Sequence, residues 1–350
     1  MHILITGHQG YVGPRVIAEL RARWPHCRLT GVDAGWFAHR LAPCTTHVPE
    51  IGLDASRYKD VRDLDAADLA GVDAVVHLAA VSNDPMGNRF EAVTDAINHR
   101  ASLRLARLAR DAGVARFVFA SSCSVYGQTE GAARKESDEL NPLTAYARSK
   151  VDTERGLAAL AAPGFTVTAL RFATACGFSA RPRCDLVLND FVFGALARGR
   201  VEVLSDGTPW RPLIEVRDMA RAIAWGCCRD ADGDDFLAVN AGSDGWNYQV
   251  RELAQAVVAR LPGVELAIDP NGQPDKRSYR VDFSLFARLA PDFQPRIGLD
   301  EAIDTLVQGF AGVGHTQALD KSLFVRLHTL TGHLASGRLD ADLRWLDLAS

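Results

Sequence analysis

Three polar side chains near the middle of the chain could act together on a hydroxyl or carbonyl group. Tyr146 and Lys150 stand at i and i+4 in the run YARSK, a spacing that puts both on one face of a helix. An ammonium beside a phenol stabilises phenolate and lowers the phenol pKa. Such a tyrosine can exchange a proton with a substrate, typically contributing ~10²–10⁴-fold to a rate. Taken alone, Tyr-x-x-x-Lys is common on solvated helix faces. Its position alters that weighting, because FVFA at 117–120 reads as a strand ending in Ser121, Ser122, Cys123 and Ser124. Ligands on parallel sheets bind beyond the carboxyl ends of the strands, which is where these groups fall.

The elements that would position them begin at the first residues, MHILITGHQGYVG. Ile3, Leu4 and Ile5 form an apolar run of the kind a buried parallel strand shows. Glycines follow at Gly7, Gly10 and Gly13 before a helical pattern of Val16, Ile17 and Leu20. Glycines at a strand-to-helix turn let backbone N–H groups approach a pyrophosphate, whose charge the helix N-terminus favours. A tight turn without a ligand would use the same triplet. A second strand over 28–32 ends at Asp33, about 20 residues past the glycines, where an acidic residue can accept hydrogen bonds from an adenosine ribose. Its carboxylate would repel a 2′-phosphate, which favours NAD over NADP. An aspartate capping a loop turn is the alternative reading of that position.

Further apolar runs at 74–78 and 166–172 alternate with helical patterns at 94–112 and 146 to about 161. Strands alternating with helices predict an α/β chain with a doubly wound parallel sheet. Beyond about residue 174 the pattern becomes irregular, with helices at 186–197, 217–228 and 249–261 and strands at 201–204, 212–216, 236–240 and 265–268. This suggests a smaller substrate domain interleaved with the sheet: residues 1–174 plus about 214–242 would form the dinucleotide domain, and about 175–213 and 243–310 the smaller one. Residues 311–350 read as a helical C-terminal tail, with helices at 323–334 and 341–348.

Composition narrows the function class. The chain has 350 residues, 47% hydrophobic and 23% charged, ordinary for a soluble globular enzyme. A formal charge of −4 argues against a nucleic-acid surface, and no apolar run is long enough to span a bilayer. The first strand begins so early that no signal peptide is expected before it. The seven cysteines, without C-x-x-C spacing, suggest reduced thiols in a cytoplasmic protein. The ten histidines show no ligand cluster, so no metal is expected.

Taken together, TGHQGYVG at 6–13, SSCSVYG at 121–127 and YARSK at 146–150 resemble the extended short-chain dehydrogenase/reductase family, in particular its nucleotide-sugar epimerases and dehydratases. DGTPWRPLIEVRDMARAI at 206–223 and DKRSY at 275–279 support the likeness. The resemblance covers most of residues 1–310 and implies a Rossmann-like domain, NAD as cofactor, a nucleotide-diphosphate sugar as substrate and a homodimer formed through the helices at 94–112 and 146–161. Gly7, Gly10 and Gly13 would hold the cofactor pyrophosphate and Asp33 its adenosine ribose. Asp60 and Val61 would border the adenine. Leu78, Ala79 and Ala80 would line the cofactor, with Asn98 on the helix beneath. Tyr146 would be the catalytic acid/base, Lys150 would bind the nicotinamide ribose and Ser122 would be the catalytic serine. Ser124, Leu188, Asn189, Arg211 and Arg277 would face the substrate, the two arginines gripping its diphosphate; a surface ion pair is the other reading of those arginines.

Departures from the family pattern bear on the reaction. Sugar 4,6-dehydratases carry an Asp-Glu pair after the catalytic hydroxyl, where this chain has Cys123 and Ser124, so dehydration is disfavoured. Cys123 reads as a buried structural thiol. Glu215 stands where many relatives have histidine, and Phe172-Ala173-Thr174 replaces an asparagine-bearing segment. The expectation is an NAD-dependent nucleotide-sugar 4-epimerase working through a transient 4-keto sugar. An NAD(P)H-dependent 4-ketoreductase would need the same residues, and an NAD-sensing regulator without catalysis is the non-enzymatic alternative.

Overall fold

The computed structural model describes residues 1–128, 131–272, 278–311 and 320–346. Twelve strands are present among them: β1 His2–Thr6, β2 Arg28–Asp33, β3 Ala55–Tyr58, β4 Ala74–His77, β5 Arg116–Ser122, β6 Thr166–Phe172, β7 Thr174–Cys176, β8 Arg200–Val203, β9 Trp210–Glu215, β10 Phe236–Ala241, β11 Asn247–Gln249 and β12 Glu265–Ile268. Seven of them form one sheet in the order β10-β6-β5-β4-β1-β2-β3, and every pairing in it is parallel. Such a sheet is covered on both faces, so its strands need apolar residues at every position and not only at alternate ones. In β1, Ile3 and Ile5 enter one core layer while Leu4 enters the other. The helices Gly13–Arg23 and Val216–Cys228 pack together on the first side, and the segments from 91 to 111 and Ala145–Ala158 lie on the second. The strand order reverses between β1 and β4, leaving a crevice at their carboxyl ends.

The chain leaves this sheet after β6 and returns through the helix Val216–Cys228 to β10. The excursion and the stretch after β10 build a three-stranded sheet, β11-β9-β7, and a two-stranded one, β12-β8. The helices Val187–Arg198, Val250–Arg260 and Leu299–Ala311 surround a third core of Leu188, Val192, Phe193, Leu253, Leu306 and Phe310.

Several elements differ from the sequence pattern. The helix expected over 94–112 contains a π-helical stretch, Asp95–Ala101. The short strand β3 and the helix Asp84–Arg89 were not visible in the sequence pattern. A further difference is at 341–348, where no helix forms over the described residues. There Leu339 bridges Trp345 in antiparallel fashion, Leu343 takes a left-handed φ of 56°, and the Asp340 carboxylate accepts the backbone N–H groups of Asp342 and Arg344 at 2.9 and 2.8 Å. An aspartate that captures nearby backbone donors competes directly with helix formation. The helix Arg326–Ala335 and this hairpin place Leu330, Leu339 and Leu343 in the same core as Trp36 and Leu4; the segment 320–346 packs into the main body. All seven cysteines are free thiols. No described helix is long and apolar enough to cross a membrane.

Candidate functional site

A cavity of about 720 Å³ follows the crevice from Asp33 at one end to Tyr146 at the other. Gly7 and Gly10 line it, whereas Gly13, also expected against the cofactor, lies behind the wall, and the three have different tasks. Gly7 has φ +75°, and a Cβ there would lie 2.5 Å from the Ala79 nitrogen. A Cβ on Gly13 would collide with the His8 carbonyl, so that position needs glycine for the turn itself. Gly10 differs: within 4 Å a Cβ there would meet only the Gly7 carbonyl, at 3.2 Å, and Gly10 lines the cavity. It leaves room for a ligand to reach the backbone. The turn is fixed to the second lobe by Tyr11, whose hydroxyl donates to the Gly177 carbonyl at 2.5 Å and whose carbonyl accepts from Ser179 at 2.6 Å.

At the Asp33 end, the carboxylate accepts backbone N–H groups from Gln9 at 2.9 Å and Gly35 at 2.8 Å. These bonds aim the side chain and leave lone pairs for two adjacent hydroxyls. Asp60, Val61, Leu78, Ala79 and Ala80 all line the cavity, and Asp60 is held by Arg62 at 2.6 Å. Asn98 corrects the expectation. It is 1% exposed and absent from the cavity wall; its amide accepts from Val81 N at 2.8 Å and donates to Val81 O at 3.0 Å and to Ser149 at 3.1 Å. It positions the loop after β4 against the helix that carries Tyr146, and does not face a ligand.

Ser122, Tyr146 and Lys150 meet at the opposite end. Ser122 terminates β5 and accepts from Ser124 N at 3.2 Å. Tyr146 lies in the first turn of the helix Ala145–Ala158, whose N-cap Thr144 accepts from Ala147 N at 3.1 Å. Lys150 donates to the Ala120 carbonyl at 2.7 Å, with its nitrogen 5.5 Å from the centre of the Tyr146 ring. The electrostatics depart from the lysine-lowered phenol anticipated above. Burial, seconded by the Asp84 carboxylate, pushes Tyr146 up to about 12, against hydrogen bonding from Ser122 and the nearby Arg183 charge. Burial also draws Lys150 down to about 7, opposed by Glu154. Asp84 accepts from Thr144 Oγ1 at 2.5 Å, and its helix packs so closely that a Cβ on Gly87 would lie 3.0 Å from Tyr146 Cβ.

Cys123 is fully buried and donates to the Arg171 carbonyl at 3.0 Å, in agreement with a structural role. Ser124 does line the cavity, and its hydroxyl has no partner among the described residues. Arg211 lines it as well and donates to the Trp210 carbonyl at 2.9 Å. Leu188 and Asn189 do not. Both are fully buried; Asn189 bonds Gly177 through N–H and carbonyl, at 2.9 and 3.2 Å, and donates to the Arg183 carbonyl at 3.0 Å, while the same helix offers Val187, Asp190 and Phe191 to the cavity. Arg277 lies outside the described residues. Phe172, Ala173 and Thr174 are wall residues. Glu215 is not: it is buried and accepts from Arg217 N at 2.6 Å, starting the next helix.

Several wall residues carried no motif. Asp84 follows Ser82-Asn83 after β4, and Arg183 forms a two-pronged pair with Asp185 at 2.9 and 3.0 Å. Asx residues after a parallel strand and paired charges in an irregular loop were the available signals. Arg326, also in the wall, had none. Among the described residues no cluster of His, Cys, Asp or Glu could hold a metal.

The residues present fit a dinucleotide: an open backbone at Gly10, an aimed carboxylate at Asp33 and a tyrosine–lysine pair at the far end. Gly7, Gly10 and Asp33 would hold its adenosine and phosphate half, and Lys150 and Tyr146 would lie at its nicotinamide half. A family model described as "NAD dependent epimerase/dehydratase family" matches residues 3–242. The chain is 30% identical over 235 residues to the "Uncharacterized UDP-glucose epimerase YtcB" of Bacillus subtilis (strain 168), covering 64% of this chain and 71% of that one. It is 26% identical over 328 residues to the UDP-glucose 4-epimerase of Lactobacillus helveticus, covering 87% and 96%. The solved structure "MoeE5 in complex with UDP-glucose and NAD" aligns with a TM-score of 0.74 and 28% identity, over 89% of this chain and 99% of that one. Since the matched stretch runs from β1 to β10 and contains the glycine turn, the serine-ended strand and the tyrosine–lysine helix, the chain belongs to the NAD-dependent epimerase/dehydratase family.

Proposed function

We propose that this protein is an NAD-dependent nucleotide-sugar 4-epimerase that works through a transient 4-keto sugar. The observation that carries the reading is the make-up of the Tyr146 end of the cavity. Ser122 and Tyr146 stand together there, while the two positions after Ser122 offer a wall residue with a hydroxyl, Ser124, and a thiol turned away to the Arg171 carbonyl. Sugar dehydration needs carboxylates for proton transfer at neighbouring carbons, and neither residue can replace one. Likeness to a UDP-glucose 4-epimerase across most of both chains supports the same reading.

Tyr146 takes the proton of the C4 hydroxyl and later returns it, and Ser122 holds the C4 oxygen by hydrogen bonding. NAD, held by Gly7, Gly10, Asp33 and Lys150, would supply the acceptor and donor of the C4 hydride and a positive charge that favours phenolate. Arg183 favours phenolate over phenol in the same direction. Arg211 faces the substrate diphosphate, with a planar fork suited to it. Thr174 and Ser124 line the pocket in which the sugar turns.

The test is turnover of nucleotide sugars followed by NMR in heavy water. Direct return of the hydride keeps the original hydrogen at C4, without deuterium at C4 or C5. Tyr146→Phe should abolish turnover and retain NAD. Near-normal turnover by that variant, or deuterium at C5, would overturn the assignment. Stoichiometric consumption of NADH would make the protein a 4-ketoreductase instead.

A further inference from the structure

The segment 320–346 lies across the adenosine end of the cofactor cavity. Trp36, just past Asp33, donates through Nε1 to the Leu343 carbonyl at 3.1 Å, and His333 bonds the Trp36 carbonyl at 3.1 Å. Trp345 donates to the Ala34 carbonyl at 2.5 Å. Arg62, the partner of Asp60, donates to the Asp342 carbonyl at 2.8 Å, and Arg344 pairs with Asp63 at 2.7 Å. These contacts bring the first residue of the helix Arg326–Ala335 into the cavity wall.

Arg326 is 1% exposed. One terminal nitrogen donates to the Arg181 carbonyl at 3.0 Å, and the guanidinium lies 4.5 Å over the centre of the Phe37 ring. The other terminal nitrogen has no partner among the described residues. Two neighbouring buried arginines are neutralised, Arg181 by Glu50 at 2.8 Å and Arg183 by Asp185. Arg326 has no carboxylate within ion-pair distance among the described residues. Burial draws its pKa down to about 9, with the Arg183 charge adding to the effect. An enclosed cation with an unused donor is costly unless an anion completes it.

The surroundings identify that anion. Arg326 stacks on Phe37 and feels the charge of Asp33, which belong to the adenosine end, and it also feels the charges of Arg183 and Asp185, of which Arg183 acts on Tyr146 at the other end. Arg181, its backbone partner, is two residues from Ser179, which fixes the Tyr11 carbonyl of the glycine turn. The midpoint of a dinucleotide laid along this path is its diphosphate. We infer that Arg326 binds the cofactor diphosphate and that the 320–346 segment is a wall of the cofactor site. The inference rests on NAD as the cofactor and is independent of the reaction proposed above.

Binding of ADP and adenosine to cofactor-stripped full-length protein, measured by calorimetry, tests it, with NAD as a third ligand. Arg326→Met should weaken ADP and NAD about 10- to 100-fold, the range of a lost charge-assisted hydrogen bond, and leave adenosine within about threefold. Arg326→Lys, which keeps the charge without the planar fork, should fall between; it also serves if the methionine variant does not fold. Unchanged ADP affinity overturns the inference, as does equal loss of adenosine and ADP, which would indicate a structural role alone. A raised KM for the nucleotide sugar with unchanged ADP binding also overturns it, since the guanidinium would then serve the substrate diphosphate. Loss of the 4-epimerase reading would leave all these binding ratios as stated.

Discussion

Replacing Asp84 with asparagine should make Tyr146 a stronger acid in the cofactor-free protein. The phenol sits at about 12 there because of burial first and the Asp84 charge second. Relative to an ordinary tyrosine near 10 this is a penalty of about 2.7 kcal/mol against phenolate, leaving about one molecule in ten thousand ionised at pH 8. Asparagine retains an oxygen to accept from Thr144, at 2.5 Å in the parent, and removes only the charge. Loss of a close like charge brings the phenol down by about one pH unit, a tenfold gain in phenolate. Tyrosinate absorbance measured through an alkaline titration, with Tyr146→Phe as the blank, reads the change directly. The acid limb of kcat/KM, along which the phenolate is lost, should move toward acid by a similar amount. A variant that titrates with the parent would refute the role of Asp84. A parent that already shows Tyr146 phenolate near neutrality would restore Lys150 as the governing charge.

The glycine turn separates fold from ligand. Gly10→Ala should keep the thermal stability within a few degrees and lose NAD, whereas Gly13→Ala, whose Cβ meets the His8 carbonyl, should destabilise the protein itself; the opposite pattern in thermal melts and NAD titrations would refute the division. Stability should also fall on the acid side through His77. Its ring bonds Thr6 and Ser102, both at 2.7 Å, and Ser102 already donates to the Asn98 carbonyl at 2.7 Å, so the ring must donate from Nε2, accept at Nδ1 and stay neutral. Burial holds its pKa down to about 3, against ~6.5 when unfolded. The unfolded chain therefore binds the proton first, the contribution is complete above pH ~6.5, and about 1.4 kcal/mol of it is lost by pH 5.5. Urea unfolding of the parent and His77→Gln at pH 8 and 5.5 measures this; equal acid losses in the two proteins would refute it.

The parallel sheet was legible because a strand buried on both faces is apolar throughout. TVTALRF at 166–172 coincides with β6, and RLTGV at 28–32 falls within β2, one residue short of its end. The glycine turn, Asp33, Ser122 and Tyr146 were readable because each sits just beyond such a strand or in the first turn of a helix. Asn98 and Asn189 were misplaced for a common reason. A buried amide satisfies backbone groups as readily as a ligand, and sequence does not show which way it points. The Tyr146–Lys150 spacing was correct as geometry and misleading as electrostatics, since i,i+4 proximity carries no information about burial. The helix expected over 341–348 does not form because Asp340, just before it, takes up the backbone donors that its first turn would need.

The contact between Trp36 and Leu343 joins residues 307 apart in the chain. Closure over such a separation comes late in folding. During synthesis the strands of the sheet emerge well before the hairpin that covers their adenosine end, so the crevice exists first as an open trough. A dinucleotide that enters it before the hairpin docks is then enclosed. Its later escape requires the 320–346 segment to lift away, a local opening with its own free energy. How long the cofactor stays is in that case a property of the 320–346 segment, and substitutions at Trp345 or Arg344 would alter residence time without touching the cofactor.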